Sequence, residues 1–71
     1  MAQLRHDEYD ALERAIANRR RIAVLRRGTE YVVVPHRLRT DGGRERIESV
    51  NPTTGDGITF YLDEVDAIEM I

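Results

Sequence analysis

The sequence predicts a mostly β domain in which one N-terminal helix precedes a five-stranded antiparallel small barrel. Three observations lead to this fold class. Helical spacing of apolar residues occurs near the N-terminus, two runs rich in β-branched residues flank Gly28, and short β-rich segments separated by turn residues follow. A length of 71 residues allows one domain, so we expect residues 1–71 to form a single unit.

The helix is expected over residues 7–18 and the barrel over residues 20–71. Asp7 is suited to cap the helix, and Asn18 is a natural stop. The apolar residues that share one helical face are Tyr9, Leu12, Ala15 and Ile16. Arg19, Arg20 and Arg21 follow, where cations stabilise the negative end of the helix dipole. Dipole compensation is the first interpretation of this triplet, and phosphate binding is the alternative.

The barrel is organised around a hairpin in the segment RRRIAVLRRGTEYVVVP, residues 19–35. A type II′ turn at Gly28-Thr29 would place Val24 opposite Val33. One face then carries Ile22, Val24, Tyr31 and Val33, and the other carries Ala23, Leu25, Val32 and Val34. Both faces are apolar, so each needs cover from other elements. We interpret Tyr31 as a half-buried strand aromatic rather than a ligand contact.

The remaining segments alternate between strands and turns. Pro35 predicts that the residues after it form an edge or a connector, because proline cannot donate to a central ladder. The expected elements are a turn at 40–43, a strand at 44–50 on an edge or solvated face, a loop at 51–57, a strand at 58–62, a 3₁₀ turn at 63–66 and a strand at 67–71. This order of elements indicates an SH3-like or Sm-like barrel.

Composition narrows the class of protein. The chain has no cysteine, which excludes disulfides and thiolate zinc sites. No apolar run approaches the roughly 20 residues of a membrane helix, and the N-terminus lacks the apolar core of a signal peptide. We therefore expect a cytoplasmic protein with no membrane partner. Because so small a domain has a limited core, a dimer or larger ring is left open.

Charge is distributed unevenly along the chain. Residues 19–46 carry a net charge of +6 and residues 47–71 a net charge of −6, within a total of −2. Two interpretations remain open: the segments form separate basic and acidic faces, or they meet in the barrel and neutralise each other. Every basic side chain other than histidine is arginine. This bias fits phosphate recognition, and it equally fits a GC-rich genome.

The sequence carries no recognisable catalytic, metal or cofactor site. It has no nucleophile–base constellation and no phosphate-binding glycine pattern. His6 and His36 lack metal-ligand spacing. We therefore expect a non-enzymatic binding module without cofactors.

Two surfaces are candidates for binding. A basic surface with an aromatic platform suits RNA or single-stranded DNA. Its predicted residues are Arg26, Arg27, Arg37, Arg39, Arg44, Arg46 and Tyr61. The alternative is a protein partner, such as a component of the transcription machinery, held by an acidic closing segment. The residues of that segment are Asp63, Glu64, Asp66 and Glu69.

Two families share short motifs with this chain. The residues Val34-Pro35, Leu38, Gly43-Arg44, Thr59-Phe60-Tyr61-Leu62-Asp63-Glu64-Val65 and Ile68-Glu69 resemble the WYL domain. That resemblance implies an Sm-like fold and ligand or nucleic-acid binding in bacterial transcriptional regulators. The residues Asp7-Glu8-Tyr9-Asp10-Ala11-Leu12-Glu13 and Tyr61-Leu62-Asp63-Glu64-Val65 resemble the Rho-binding antiterminator family over nearly the whole chain. That resemblance implies an Sm-like barrel with a helix, which binds the terminator Rho.

Overall fold

The computed structural model describes residues 6–71 and contains one helix and five strands. Its elements are helix α1 (His6–Asn18), strands β1 (Ile22–Arg26), β2 (Thr29–Asp41), β3 (Arg44–Val50) and β4 (Gly57–Tyr61), a 3₁₀ turn (Leu62–Glu64) and strand β5 (Ala67–Met70). The strands form one antiparallel sheet in the order β4-β3-β2-β1-β5, and no ladder joins β4 to β5. The prediction of a mostly β chain with one helix and five antiparallel strands is confirmed, whereas the sheet of the described residues is not closed into a barrel.

Helix α1 packs the predicted face against the sheet. Leu12 and Ala15 are fully buried, and Tyr9 and Ile16 pack against the same core. Asp7 lies inside the helix rather than before it, so the predicted cap position is wrong, and its carboxylate accepts a hydrogen bond from the Glu8 N–H at 3.1 Å.

The helix ends at Asn18, as predicted, in a Schellman motif. The Arg20 N–H donates to the Ala15 carbonyl at 2.9 Å, and the Arg19 N–H donates to the Ile16 carbonyl at 3.4 Å. Arg19, the first residue after the helix, has a φ of 54°. Glycine is the usual residue in this left-handed conformation, because any Cβ is strained there.

The central hairpin turns one residue earlier than predicted. Arg26 pairs with Thr29, so Arg27 and Gly28 form the loop, and both have positive φ, 51° and 77°. This geometry is a type I′ turn, whose twist matches that of the flanking strands. The Asp66 carboxylate accepts a hydrogen bond of 3.1 Å from the Arg27 N–H. The predicted type II′ turn and register are therefore wrong.

The two faces of the hairpin are nevertheless the predicted ones. Val24 pairs with Tyr31 instead of Val33, which is a shift of two residues along the partner strand. Because side chains alternate with a period of two, such a shift returns each side chain to its original face. Ile22, Val24 and Val33 are buried in the core, whereas Val32, on the opposite face, is 40% exposed.

Strand β2 runs through Pro35 and is the central strand, so the expected edge or connector after Pro35 is wrong. Strand β1 pairs with β2 only as far as Val33, and β3 pairs with it from Val34 onward. Pro35 thus lies beyond the β1 ladder, where a missing N–H breaks no pairing with β1. The register shifts between Pro35 and Arg37, which marks a bulge that re-aims the second half of the strand.

Strand β3 is an interior strand with one solvated face, and the strands at the two edges are β4 and β5. Ile47 and Ser49 are buried, and the charged residues Arg46 and Glu48 alternate with them on the other side. The main core contains Leu12, Ala15, Ile22, Val24, Val33, Ile47, Phe60, Leu62 and Val65. It lies between the helix and the sheet.

Candidate nucleic-acid interface

The second half of β2 and the strands β3 and β4 share a charged outer face, which consists of Arg37, Arg39, Arg44, Arg46, Glu48 and Tyr61. Arg39 and Tyr61 both pair with Arg46, so these three residues form one row across the strands. Arg37 and Thr59 both pair with Glu48 in the next row. The sheet therefore brings together five of the seven residues predicted to bind nucleic acid.

Arg46 is engaged by carboxylates within this outer face. One terminal nitrogen lies 2.6 Å from Asp41 and the other lies 3.4 Å from Glu48, whose carboxylate also lies 3.9 Å from Arg39. The hydrogen bond to Asp41 is the main cause that raises the pKa of Arg46. Arg46 is thus a structural centre of the outer face, with its positive charge compensated.

Arg44, one of the predicted nucleic-acid-binding residues, contacts two carboxylates of the predicted acidic surface. Its guanidinium donates two hydrogen bonds of 2.9 Å to Asp63 and one of 3.2 Å to Glu64, and it lies 4.0 Å from the centre of the Tyr61 ring. The hydrogen bonds from Arg44 hold the pKa of Asp63 below its usual range. The basic middle segment and the acidic closing segment therefore neutralise each other at this point.

Arg26 covers the aromatic part of the core. Its guanidinium carbon lies 5.1 Å from the Tyr31 ring centre and 5.2 Å from that of Phe60, and these two rings lie 5.3 Å apart. Tyr31 is half-buried and packs against the core, as predicted. A partly buried cation over aromatic faces is stabilising, so Arg26 contributes to folding as well as to surface charge.

Other arginines have no carboxylate partner among residues 6–71. Five of them lie near the C-terminal half of α1: Arg14 is in the helix, Arg19, Arg20 and Arg21 follow it directly, and Arg37, at the end of the outer face, lines a groove with Ile16 and Ala17. We call this group the basic end. Arg14 and Arg20 line one shallow groove beside the helix, and Arg37 lines another groove beside Ile16 and Ala17. All five are exposed.

The sequence signal for the basic end was the triplet Arg19–Arg21, which lay outside the predicted nucleic-acid surface. Dipole compensation favours a cation within the last helical turn, and Arg19, Arg20 and Arg21 lie after that turn. Arg37 comes from a distant part of the sequence, and only the central position of β2 brings it beside the helix. Arg27 is also exposed, at the opposite end of β1.

The residues of the predicted acidic surface do not form one free patch. Asp63 and Glu64 bind Arg44, and Asp66 accepts the Arg27 N–H. Glu69 lies on β5 opposite Ala23 and is exposed. Among these four carboxylates, Glu69 alone has no partner in the described residues.

Tyr9 anchors the start of α1 to β3 through a hydrogen bond from its hydroxyl to Glu45. This bond, with smaller contributions from burial and the Glu45 charge, raises the pKa of Tyr9 to about 12. Because the unfolded chain loses this proton near pH 10, the contribution of Tyr9 to stability is complete below pH 10. It decreases as the pH rises from about 10 to about 12.

We therefore expect Tyr9→Phe to destabilise the protein at pH 8 and to have a smaller effect at pH 11. Urea unfolding followed by circular dichroism at both pH values measures the difference in the free energy of unfolding. A difference that stays constant from pH 8 to pH 11 would contradict the role given to the hydroxyl.

No protein-family model and no curated protein matches this chain. Within residues 6–71, no helix is long and apolar enough to cross a membrane. The same residues contain no group of three or more histidines and carboxylates arranged to hold a metal ion. The family resemblance and the binding role therefore remain predictions.

Proposed function

We propose that this protein is a non-enzymatic, nucleic-acid-binding small barrel of SH3-like or Sm-like kind, and that it acts as a transcription- or RNA-associated regulator through its basic end. The observation that carries the proposal is the set of five exposed arginines near the end of α1 that have no carboxylate partner among residues 6–71. Arginine forks bind phosphates bidentately, and clustered unpaired cations attract a polyanion.

Backbone strain supports this proposal. Arg19 and Arg27 are the two non-glycine residues with positive φ among those described, and both are exposed arginines whose side chains lack a carboxylate partner. Glycine or asparagine would be more stable in either position. Strain of this kind is commonly retained where a side chain serves function. A guanidinium needed for phosphate contact explains why arginine occupies position 19, at the basic end. Arg27 lies at the opposite end of β1, outside the proposed interface.

The order of elements supports the finer assignment of the fold. A helix, four strands, a 3₁₀ turn and a short closing strand follow one another as expected for an Sm-like barrel, the fold implied by the resemblance to the Rho-binding antiterminator family. A protein partner held by the acidic segment is the second candidate. It is less well supported, because three of its four carboxylates already accept hydrogen bonds within the domain.

The test is a fluorescence titration of labelled single-stranded RNA and DNA pools, at several salt concentrations, with wild type and the double variant Arg19→Gly/Arg20→Gln. Glycine at position 19 adopts the positive φ without the strain that a Cβ causes, so this variant should remain folded. Removing two phosphate contacts should lower affinity about tenfold or more and make the slope of log K against log salt shallower by about 1.4.

The matched control is Arg39→Gln/Arg44→Gln, which removes the same charge from the compensated outer face. We expect it to bind nearly as wild type does. If the control loses affinity and the first variant does not, the binding surface is the outer face predicted from sequence. If wild type binds neither pool even at low salt, the nucleic-acid proposal is wrong, and capture of a basic protein partner becomes the next experiment.

A further inference from the structure

A groove with an apolar floor lies between the C-terminal half of α1 and the bulged part of β2. It has a volume of about 350 Å³ and is lined by Glu13, Ile16, Ala17, His36, Arg37 and Leu38. This volume falls within the range of roughly 300–1,000 Å³ that is typical of small-molecule sites. Ile16 and Leu38 pack against the core from the groove floor, so the floor is fixed by the fold.

The walls of the groove carry opposite charges that do not pair. Glu13 lies on the helix side, while His36 and Arg37 lie on the strand side, at the bulge that follows Pro35. Glu13 and Arg37 form no ion pair with each other or with any other described residue, and both are exposed. An occupant therefore meets a free acceptor on one wall and free donors on the other.

We propose that this groove holds one unpaired guanine base of a bound single strand, an inference that rests on the proposed function. Guanine presents two adjacent N–H donors, N1 and N2, that match the two oxygens of one carboxylate, here Glu13. Cytosine, adenine and uracil lack this pair of adjacent donors. The apolar floor accepts the face of the ring, and His36 offers a stacking surface. Arg37 belongs to the basic end and would hold the neighbouring phosphate.

The groove lies next to the basic end, so one bound strand can contact both. Arg37 lines the groove, while Arg19, Arg20 and Arg21 follow the helix turn that contains Ile16 and Ala17. A strand whose phosphates follow the basic end can therefore place a base between α1 and β2. In double-stranded nucleic acid this edge of guanine is paired with cytosine, so the groove selects single strands.

The experiment compares labelled oligouridylates that are identical except for one central residue, which is uridine, guanosine or inosine, and repeats the series in DNA. Inosine keeps N1–H and lacks the N2 amino group. We expect guanosine to bind about five- to tenfold more tightly than uridine, at the low end of the range for a bidentate base contact, with inosine between them. Equal preference in RNA and DNA is expected, because the contact does not involve the sugar.

The diagnostic variant is Glu13→Gln, with Glu30→Gln as the charge-matched control at the exposed hairpin end. Both remove one negative charge and should slightly raise overall affinity, so the quantity compared is the ratio of guanosine to uridine affinity. Glu13→Gln should bring that ratio close to one, and Glu30→Gln should preserve it. If all oligomers bind equally to wild type, the guanine site is refuted while the proposed function stands. If no oligomer binds, the proposed function fails as well.

Discussion

Val33→Asp is expected to unfold the domain at room temperature. Val33 is 1% exposed, pairs with Ile22 and belongs to the main core. Burying an unpaired carboxylate there costs several kcal/mol. A domain of 71 residues has a total stability of roughly 4–11 kcal/mol at ordinary values per residue. One substitution should therefore remove most or all of the stability, and far-ultraviolet circular dichroism with urea unfolding measures the loss.

The matched control for this prediction is the neighbouring residue. Val32 is 40% exposed and points to the opposite face of the same strand, so Val32→Asp should leave its carboxylate in water and cost about 1 kcal/mol or less. A pair of variants with similar stabilities would contradict the assignment of faces in the hairpin. The comparison holds β propensity and local charge constant, because both variants replace valine with aspartate in one strand.

The faces of the hairpin were predictable from sequence, whereas its register was not. Alternation of apolar residues decides which side chains share a face, and a two-residue shift leaves that assignment unchanged. The position of the turn depends on Arg27 adopting positive φ and on the Asp66 carboxylate that accepts its N–H. Asp66 is 39 residues away in sequence, so no local rule identifies this contact.

The extent of β2 shows a second limit of local reasoning. Pro35 is correctly excluded from ladders that require its N–H, yet it lies in the central strand. The strand changes partners at this point, with β1 before it and β3 after it, and the bulge absorbs the change. Proline at such a junction is compatible with the sheet, but only the three-dimensional pairing shows that the junction is there.

The candidate site was predictable in composition but not in arrangement. Arginine enrichment in residues 19–46 is visible in the sequence. Which arginines are compensated depends on contacts such as that of Arg44 with Asp63 and Glu64, across about 20 residues. The arginines of the basic end have no such carboxylate partner among residues 6–71. This difference in charge compensation distinguishes the structural arginines of the outer face from the candidate binding residues.

Phe60→Ala is expected to cost about 3–5 kcal/mol, the second large loss of stability. Phe60 is fully buried, pairs with Ile47 and lies 5.3 Å from the Tyr31 ring at an interplanar angle of 60°. Its removal leaves a cavity between β4 and the hairpin. Thr59→Ala is the control, because Thr59 is exposed on the other face of the same strand. A loss below 1 kcal/mol for Phe60→Ala would mean that the core closes without it.

A double-mutant cycle with Phe60 measures the contribution of Arg26 to stability separately. In wild type, Arg26→Gln removes a cation that covers both Tyr31 and Phe60, a contact worth about 0.5–2 kcal/mol. In a Phe60→Leu background, part of that contact is already absent, so Arg26→Gln should cost less. Urea unfolding of the four proteins gives the coupling energy between the two residues. A coupling near zero would show that the Phe60 ring adds nothing to the contribution of Arg26, whereas positive coupling would show that Arg26 stabilises the fold through this ring.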